Sequence, residues 1–224
     1  MSSAAAAPLD PVSIGYKIKV KSARFDATLG RIETSLNTTE SGYKIDTVTK
    51  FQGLASIIGG SNLRESCEFS VEDGRAVPRK YEGGRIKSKS SDYQVNFDWQ
   101  NQKLSFNDED ALDMPQGYVV DICSLWFAMA IMRGEGLKDE LLYSIDGKNK
   151  RIRGFRFRSL EDDTIETKIG TKEVLKLVLE RDFRPDRTTT FWLSKEDQYL
   201  PLRAQEKRKS RTTTFSVEKL EPLN

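Results

Sequence analysis

The sequence predicts an all-β chain, a curved antiparallel sheet forming a barrel or half-barrel around one short apolar helix. Three observations predict it. Segment after segment alternates apolar and polar residues with a period of two, the pattern of strands with one buried face. Glycines and turn pairs such as Asp73-Gly74 and Asp146-Gly147 punctuate these segments at hairpin spacing. One stretch, Asp121–Arg133, is apolar almost all the way round a helical axis, so neighbours must enclose it on nearly every side.

The elements follow in order. In Ser13–Lys21, Ile14, Tyr16, Ile18 and Val20 point one way and Lys17, Lys19 and Lys21 the other. Across Arg24–Asn37 the apolar parity flips at Gly30, from Phe25, Ala27 and Leu29 to Ile32 and Leu36. A bulge there returns both groups to one face and bends the strand. Glu40-Ser41-Gly42 turns into Tyr43–Phe51, where Tyr43, Ile45, Thr47, Thr49 and Phe51 share a face. Residues 53–60 break the alternation and read as a buried loop or single turn. Leu63–Val71 follows, with Cys67 on the face of Leu63, Phe69 and Val71.

Beyond the Asp73-Gly74 turn, Pro78 places the next strand's start or an edge, and Gly83-Gly84 marks a kink. Tyr93, Val95, Phe97 and Trp99 alternate cleanly, and residues 100–102 turn the chain into Lys103–Phe106. A loop carries Asp108, Glu109 and Asp110 as far as Gly117. The helix comes next, with Asp121 as predicted N-cap and Gly134 or Gly136 as stop. Strands then resume at Leu141–Ile145, Arg151–Ser159, Thr164–Lys168, Glu173–Arg181, Thr188–Leu193, Tyr199–Glu206 and Arg211–Leu220. Short turns between them predict mostly antiparallel pairing. With no internal repeat and no linker, residues 12–224 read as one β domain.

Residues 1–11 read as a flexible tail. Their small-residue run, Ser2 to Ala7, resembles what remains after a signal peptide is removed, with an initiator methionine added. The alternative is a flexible native terminus. No stretch reaches the ~18 apolar residues of a membrane-spanning helix.

Composition removes several classes of function. There is no histidine, which excludes Ser-His-Asp and Cys-His catalysis and histidine metal ligation. Lys+Arg is 36 against 34 for Asp+Glu, a balance without the basic excess of a nucleic-acid binder. Two cysteines, Cys67 and Cys123, cannot form a zinc site alone; they form a disulfide in an oxidising compartment or stay as buried thiols. No phosphate loop, nucleophile elbow or dinucleotide fingerprint is present. The expectation is no cofactor, no resident metal and no catalytic residue.

Two constellations offer binding chemistry. Phe97, Trp99, Trp126, Phe127 and Met129 gather the large apolar groups of strand and helix; they either fill the core or line a pocket for an apolar ligand. The sharp form of the second reading is a pocket above ~300 Å³ lined by Phe97, Trp126 and Met129. Arg151, Arg153, Arg156 and Arg158 fall in two parity classes that a bulge at Gly154 would merge into one cationic stripe. Such a stripe binds phosphate, carboxylate or an anionic headgroup; the alternative is a solvated face paired with Glu161, Asp162 or Glu173. Lys207, Arg208, Lys209 and Arg211 read as a hairpin tip, and Asp108 to Asp110 as an acidic loop without calcium-loop spacing.

Many short pieces recur in a fixed order. They include Ala27-Thr28-Leu29-Gly30, Gly42-Tyr43, Gly53-Leu54, Arg64-Glu65-Ser66, and the run from Asp73 to Pro78. Val120 to Leu125, Ile165 to Thr171, Thr190 to Ser194 and Leu200 to Arg203 continue the series. In this the chain resembles a bacterial exported family catalogued as domain of unknown function 3108. The resemblance implies a signal peptide, a Gram-negative periplasm and a β-rich barrel or half-barrel, with no catalytic residue to carry over. Cys123 and the Trp126-Phe127 pair depart from the family's usual helix.

The function expected from these readings is non-catalytic: a periplasmic module binding or carrying an apolar or amphipathic, lipid-like envelope ligand. One alternative is an envelope scaffold or assembly factor whose partner is another envelope protein. Another is a hydrolase using carboxylates such as Asp108 or Asp110.

Overall fold

A computed structural model describes residues 9–53, 61–88, 90–107, 109, 111–133 and 141–223. Its first strands are β1 (Val12–Lys21), β2 (Asp26–Thr39), β3 (Gly42–Phe51), β4 (Leu63–Glu72) and β5 (Arg75–Arg85). They are followed by β6 (Tyr93–Asp98), β7 (Lys103–Phe106), β8 (Leu112–Asp113) and β9 (Tyr118–Asp121). Helix α1 (Leu125–Met132) separates these from β10 (Leu142–Asp146), β11 (Arg151–Thr167), β12 (Gly170–Arg181), β13 (Arg184–Ser194), β14 (Pro201–Arg208) and β15 (Arg211–Pro222).

The fifteen strands among the described residues form one sheet in the order β8-β7-β6-β5-β4-β3-β2-β1-β15-β14-β13-β12-β11-β10-β9. Every neighbouring pair except β1–β15 is consecutive in the chain, so two meanders are joined along one seam. The sheet curls but does not close, since β8 and β9 are not paired. Its bends follow the glycine signal. The register of β1 on β2 jumps from Ile18↔Gly30 to Lys19↔Thr28, which makes Leu29 the extra residue of a bulge. Gly30 is obligatory there, because a Cβ would lie 2.2 Å from the Lys50 carbonyl oxygen.

The predicted elements recur with specific differences. Pairing is antiparallel except for β9 on β10, which is parallel and therefore needs the crossover that α1 supplies. Strands β8 and β9 replace part of the expected loop. The predicted strands 151–159 and 164–168 are one strand, β11, because β12 pairs along its whole second half. The helix is shorter than 121–133: Asp121 ends β9, and Ser124 is the N-cap. Asp121 still serves the helix approach, since its Oδ1 accepts the backbone N–H groups of Cys123 and Ser124 at 2.8 and 2.7 Å. Arg133, in the left-handed region at φ 50°, stops the helix; Gly134 and Gly136 lie outside the described residues, as do 54–60 of the predicted loop.

The tail is also corrected. Residues 1–8 lie outside the described residues, whereas Leu9 is buried and its N–H donates to the Tyr43 hydroxyl. Pro11 accepts a hydrogen bond from the Leu223 N–H. The core fills the concave side. Leu125 and every residue of Phe127–Met132 are buried, as the all-round apolar pattern requires. All four β9 residues are buried too, and the Tyr118 hydroxyl bonds both the N–H and the C=O of Ala76 in β5. The end of the sheet thus tucks against its own middle. Among the described residues, no helix is long and apolar enough to cross a membrane.

Candidate functional site

A cavity of about 230 Å³ lies between α1 and the concave face. One wall is apolar. Trp126 projects from α1 and meets three rings edge-on, Tyr16 at 5.0 Å, Phe215 at 5.4 Å and Phe191 at 5.9 Å between centroids. Ile32, Leu125, Phe127 and Phe155 extend this surface. Trp126 is held in place from behind, because Cys123 is bonded to Cys67 of β4 with 6.2 Å between their Cα atoms. That disulfide fixes the start of the helix to the sheet.

The rest of the lining is polar, and it is built by inward strand positions that carry hydrophilic residues. The Thr34 and Thr47 hydroxyls are 2.6 Å apart, with Thr49 and Glu65 beside them. Glu65 Oε1 accepts hydrogen bonds from the Tyr81 and Tyr93 hydroxyls at 2.5 and 2.7 Å. Burial, and then the Glu65 charge, push both tyrosine pKa values up, so both remain donors. Arg153, also in the lining, is paired with the buried Asp146, which also accepts from the Asn149 side chain. Glu206 completes this wall. Glu206 is open to solvent on one side, yet desolvation raises its carboxyl pKa against the lowering pull of Arg153 and Arg211.

The aromatic set predicted as a ligand pocket is only partly assembled. Trp126 and Phe127 line the cavity; Phe97, Trp99 and Met129 do not. Met129 is fully buried in the core. Phe97 stacks on Trp99 with centroids 6.3 Å apart, and the Trp99 indole donates to the Pro78 carbonyl. The volume also falls short of the ~300 Å³ lower bound for small-molecule pockets.

The arginine stripe is corrected. Pairing of β10 with β11 runs without interruption through Tyr143↔Gly154, so no bulge sits at Gly154. The register shifts instead between Phe157 and Ser159. Arg153 therefore shares the inner face with Phe155, while Arg156 and Arg158 point outward to Asp182 and Glu180 at 2.7 and 2.8 Å. Arg151 is exposed at the strand's start. The acids suggested as partners are engaged elsewhere, Glu161 with Lys176 and Asp162 with Lys195.

Strand parity carries a signal for the polar interior. Glu65 has the parity of Leu63 and Cys67, and Glu206 that of Leu202 and Ala204; a charge on the apolar parity of a strand marks a polar interior. Of the acidic loop, Asp108 and Asp110 lie outside the described residues, and Glu109 pairs with Lys150. Cys67, Asp121 and Cys123 also bring three potential metal-ligand atoms within 4.8 Å of one another, but sulfurs joined as a disulfide lack the thiolate charge that binds a metal.

The architecture defines a β-barrel-like protein with an unclosed sheet and an enclosed helix. A β-barrel-like protein of domain of unknown function 1849 from Brucella abortus shares it, with a TM-score of 0.62 at 12% identity over 98% of this chain and 100% of that one. Two further solved structures align more loosely. A DUF1329 family protein from Desulfovibrio piger gives a TM-score of 0.33 at 8% identity, over 96% of this chain and 86% of that one. A LolA superfamily protein from Nitrosomonas europaea gives 0.30 at 8%, over 99% and 90%. The chain itself belongs to the family described as protein of unknown function DUF3108, which matches residues 15–210. The curated proteins hold no significant match to it.

Proposed function

We propose that this protein is a non-catalytic binding or carrier module of the bacterial periplasm, taking an apolar or amphipathic envelope molecule. The observation that carries the reading is the two-sided cavity, with aromatic rings of α1 and the sheet facing threonines and charged groups. An amphiphile satisfies both kinds of lining at once, whereas a wholly apolar guest sets apolar surface against Glu206. The volume suits part of one aliphatic chain rather than a large lipid. Support for export comes from the Cys67–Cys123 disulfide, since such bridges persist in oxidising compartments. A scaffold acting through strand addition needs a long free edge; here one edge strand has two residues and the other is buried.

Native mass spectrometry and organic extraction of freshly purified protein test the reading. The expected result is a co-purifying amphiphile, released when Trp126 is replaced by alanine. A preparation that carries nothing and binds no added alkyl-chain ligand would overturn it. Cell fractionation with thiol trapping tests the location, and recovery of reduced protein in the cytoplasm would refute export.

A further inference from the structure

At its outer end the cavity runs into a second cleft of about 150 Å³, with which it shares Arg153, Phe155, Thr189 and Glu206. The added walls of this cleft are cationic: Arg181, Arg187, Lys207 and Arg208. Register brings them together. Arg187 faces Arg208 across β13 and β14, and the Thr189↔Glu206 pair lies one inward step deeper. Arg181, the last residue of β12, pairs with Phe155 of β11, two positions from Arg153.

The charges in this cleft do not balance. Five cations line it against a single anion, Glu206, and Arg153 is already engaged by Asp146. Arg187 Nε is buried without a hydrogen-bond partner among the described residues, which is costly for a charged donor. Burial, followed by repulsion from Arg153, Arg187 and Arg184, lowers the Arg181 pKa. Each of these is relieved by an acceptor anion held between the guanidinium planes, whose fork of donors matches phosphate and carboxylate oxygens.

We infer that the cleft is an anion subsite that takes the phosphate or carboxylate head of an amphiphile whose tail lies against Trp126, Phe191 and Phe215. The inference rests on the carrier reading and specifies its ligand class. The headgroup sits at Arg181 and Arg187, with Arg153 and Glu206 at the junction between head and tail.

Calorimetric titration of the full chain with dodecyl phosphate and dodecyl maltoside, each below its micellar concentration, and with inorganic phosphate tests it. Dodecyl phosphate is expected to bind at least about tenfold more tightly than dodecyl maltoside, the scale of one charge-assisted hydrogen bond. In R181Q/R187Q that preference disappears while the maltoside affinity is kept, which also shows that the variant is folded. R187K, which keeps the charge but loses the buried Nε–H, is expected to lose part of it. Equal binding of the two detergents to the wild type overturns the headgroup assignment and leaves the carrier reading standing. Binding of inorganic phosphate as tightly as dodecyl phosphate, with no maltoside bound, makes the site one for a free anion and overturns the amphiphile. Binding of none of the three overturns both readings.

Discussion

The apolar and charged walls of the cavity are built by opposite means. On the apolar side Trp126 makes three edge contacts and the helix beneath it is buried on every side, so burial and close packing make the wall stable in itself. On the charged side Arg153 depends on one partner, Asp146, and Arg187 Nε has none among the described residues. Desolvated charge without a partner costs stability. Places where a sequence departs from the rules of stable packing tend to be functional, and here the departure is confined to one wall.

Substitutions in the two walls should differ in cost. Removing the bridge with C67S/C123S frees a crosslink between residues 56 positions apart, and should lower unfolding stability by roughly 4 kcal/mol. A midpoint change under a degree in calorimetry would show that the bridge does not hold the apolar wall. Trp126→Ala leaves a void among three rings and should cost about 3 kcal/mol by denaturant titration; a near-neutral result would mean that the wall collapses to fill it.

Asp121 gives a pH signature. Burial raises its carboxyl pKa from the ordinary 3.8 to about 6, so the folded form takes up the proton before the unfolded one. Its stabilising contribution is complete below pH 4 and lost as pH rises through 6. The wild type should therefore gain up to about 3 kcal/mol relative to D121N as pH falls from 7 to 4, and a flat difference would contradict the buried setting. The smallest effects separate the two faces of β11. Arg153→Ala leaves Asp146 buried without its guanidinium and should cost about 2 kcal/mol, whereas Arg158→Ala, on the solvent face, should cost under about 1 kcal/mol. Equal costs would return the arginines to one face.

The β periodicity, the Gly30 kink and the enclosed helix were legible because each is local: parity, a missing Cβ and an all-round apolar stretch are written within a dozen residues. The cavity was not, because it depends on register between distant strands. Trp126 meets Phe191 and Phe215 only once β13 and β15 are placed, and nothing near Phe97 or Met129 reveals that they pack elsewhere. The arginine face went astray on a single position. The extra residue of β11 lies at Arg158 rather than Gly154, and one residue of slip moves every later side chain to the other face. Strands β8 and β9 escaped because such short segments owe their form to partners supplied by the rest of the sheet.

The seam between β1 and β15 has a kinetic meaning. Every other pairing joins neighbours in the chain, and all of these except the parallel β9–β10 pair are antiparallel, the kind that zips within microseconds. The two ribbons can therefore assemble independently, each at low contact order. What remains is one search, in which the first strand finds the last across nearly the whole length of the polypeptide. Loop entropy rises only logarithmically with that length, so this long-range step is slower than zipping a hairpin but not prohibitive, and the folding rate should respond most to substitutions along these two strands.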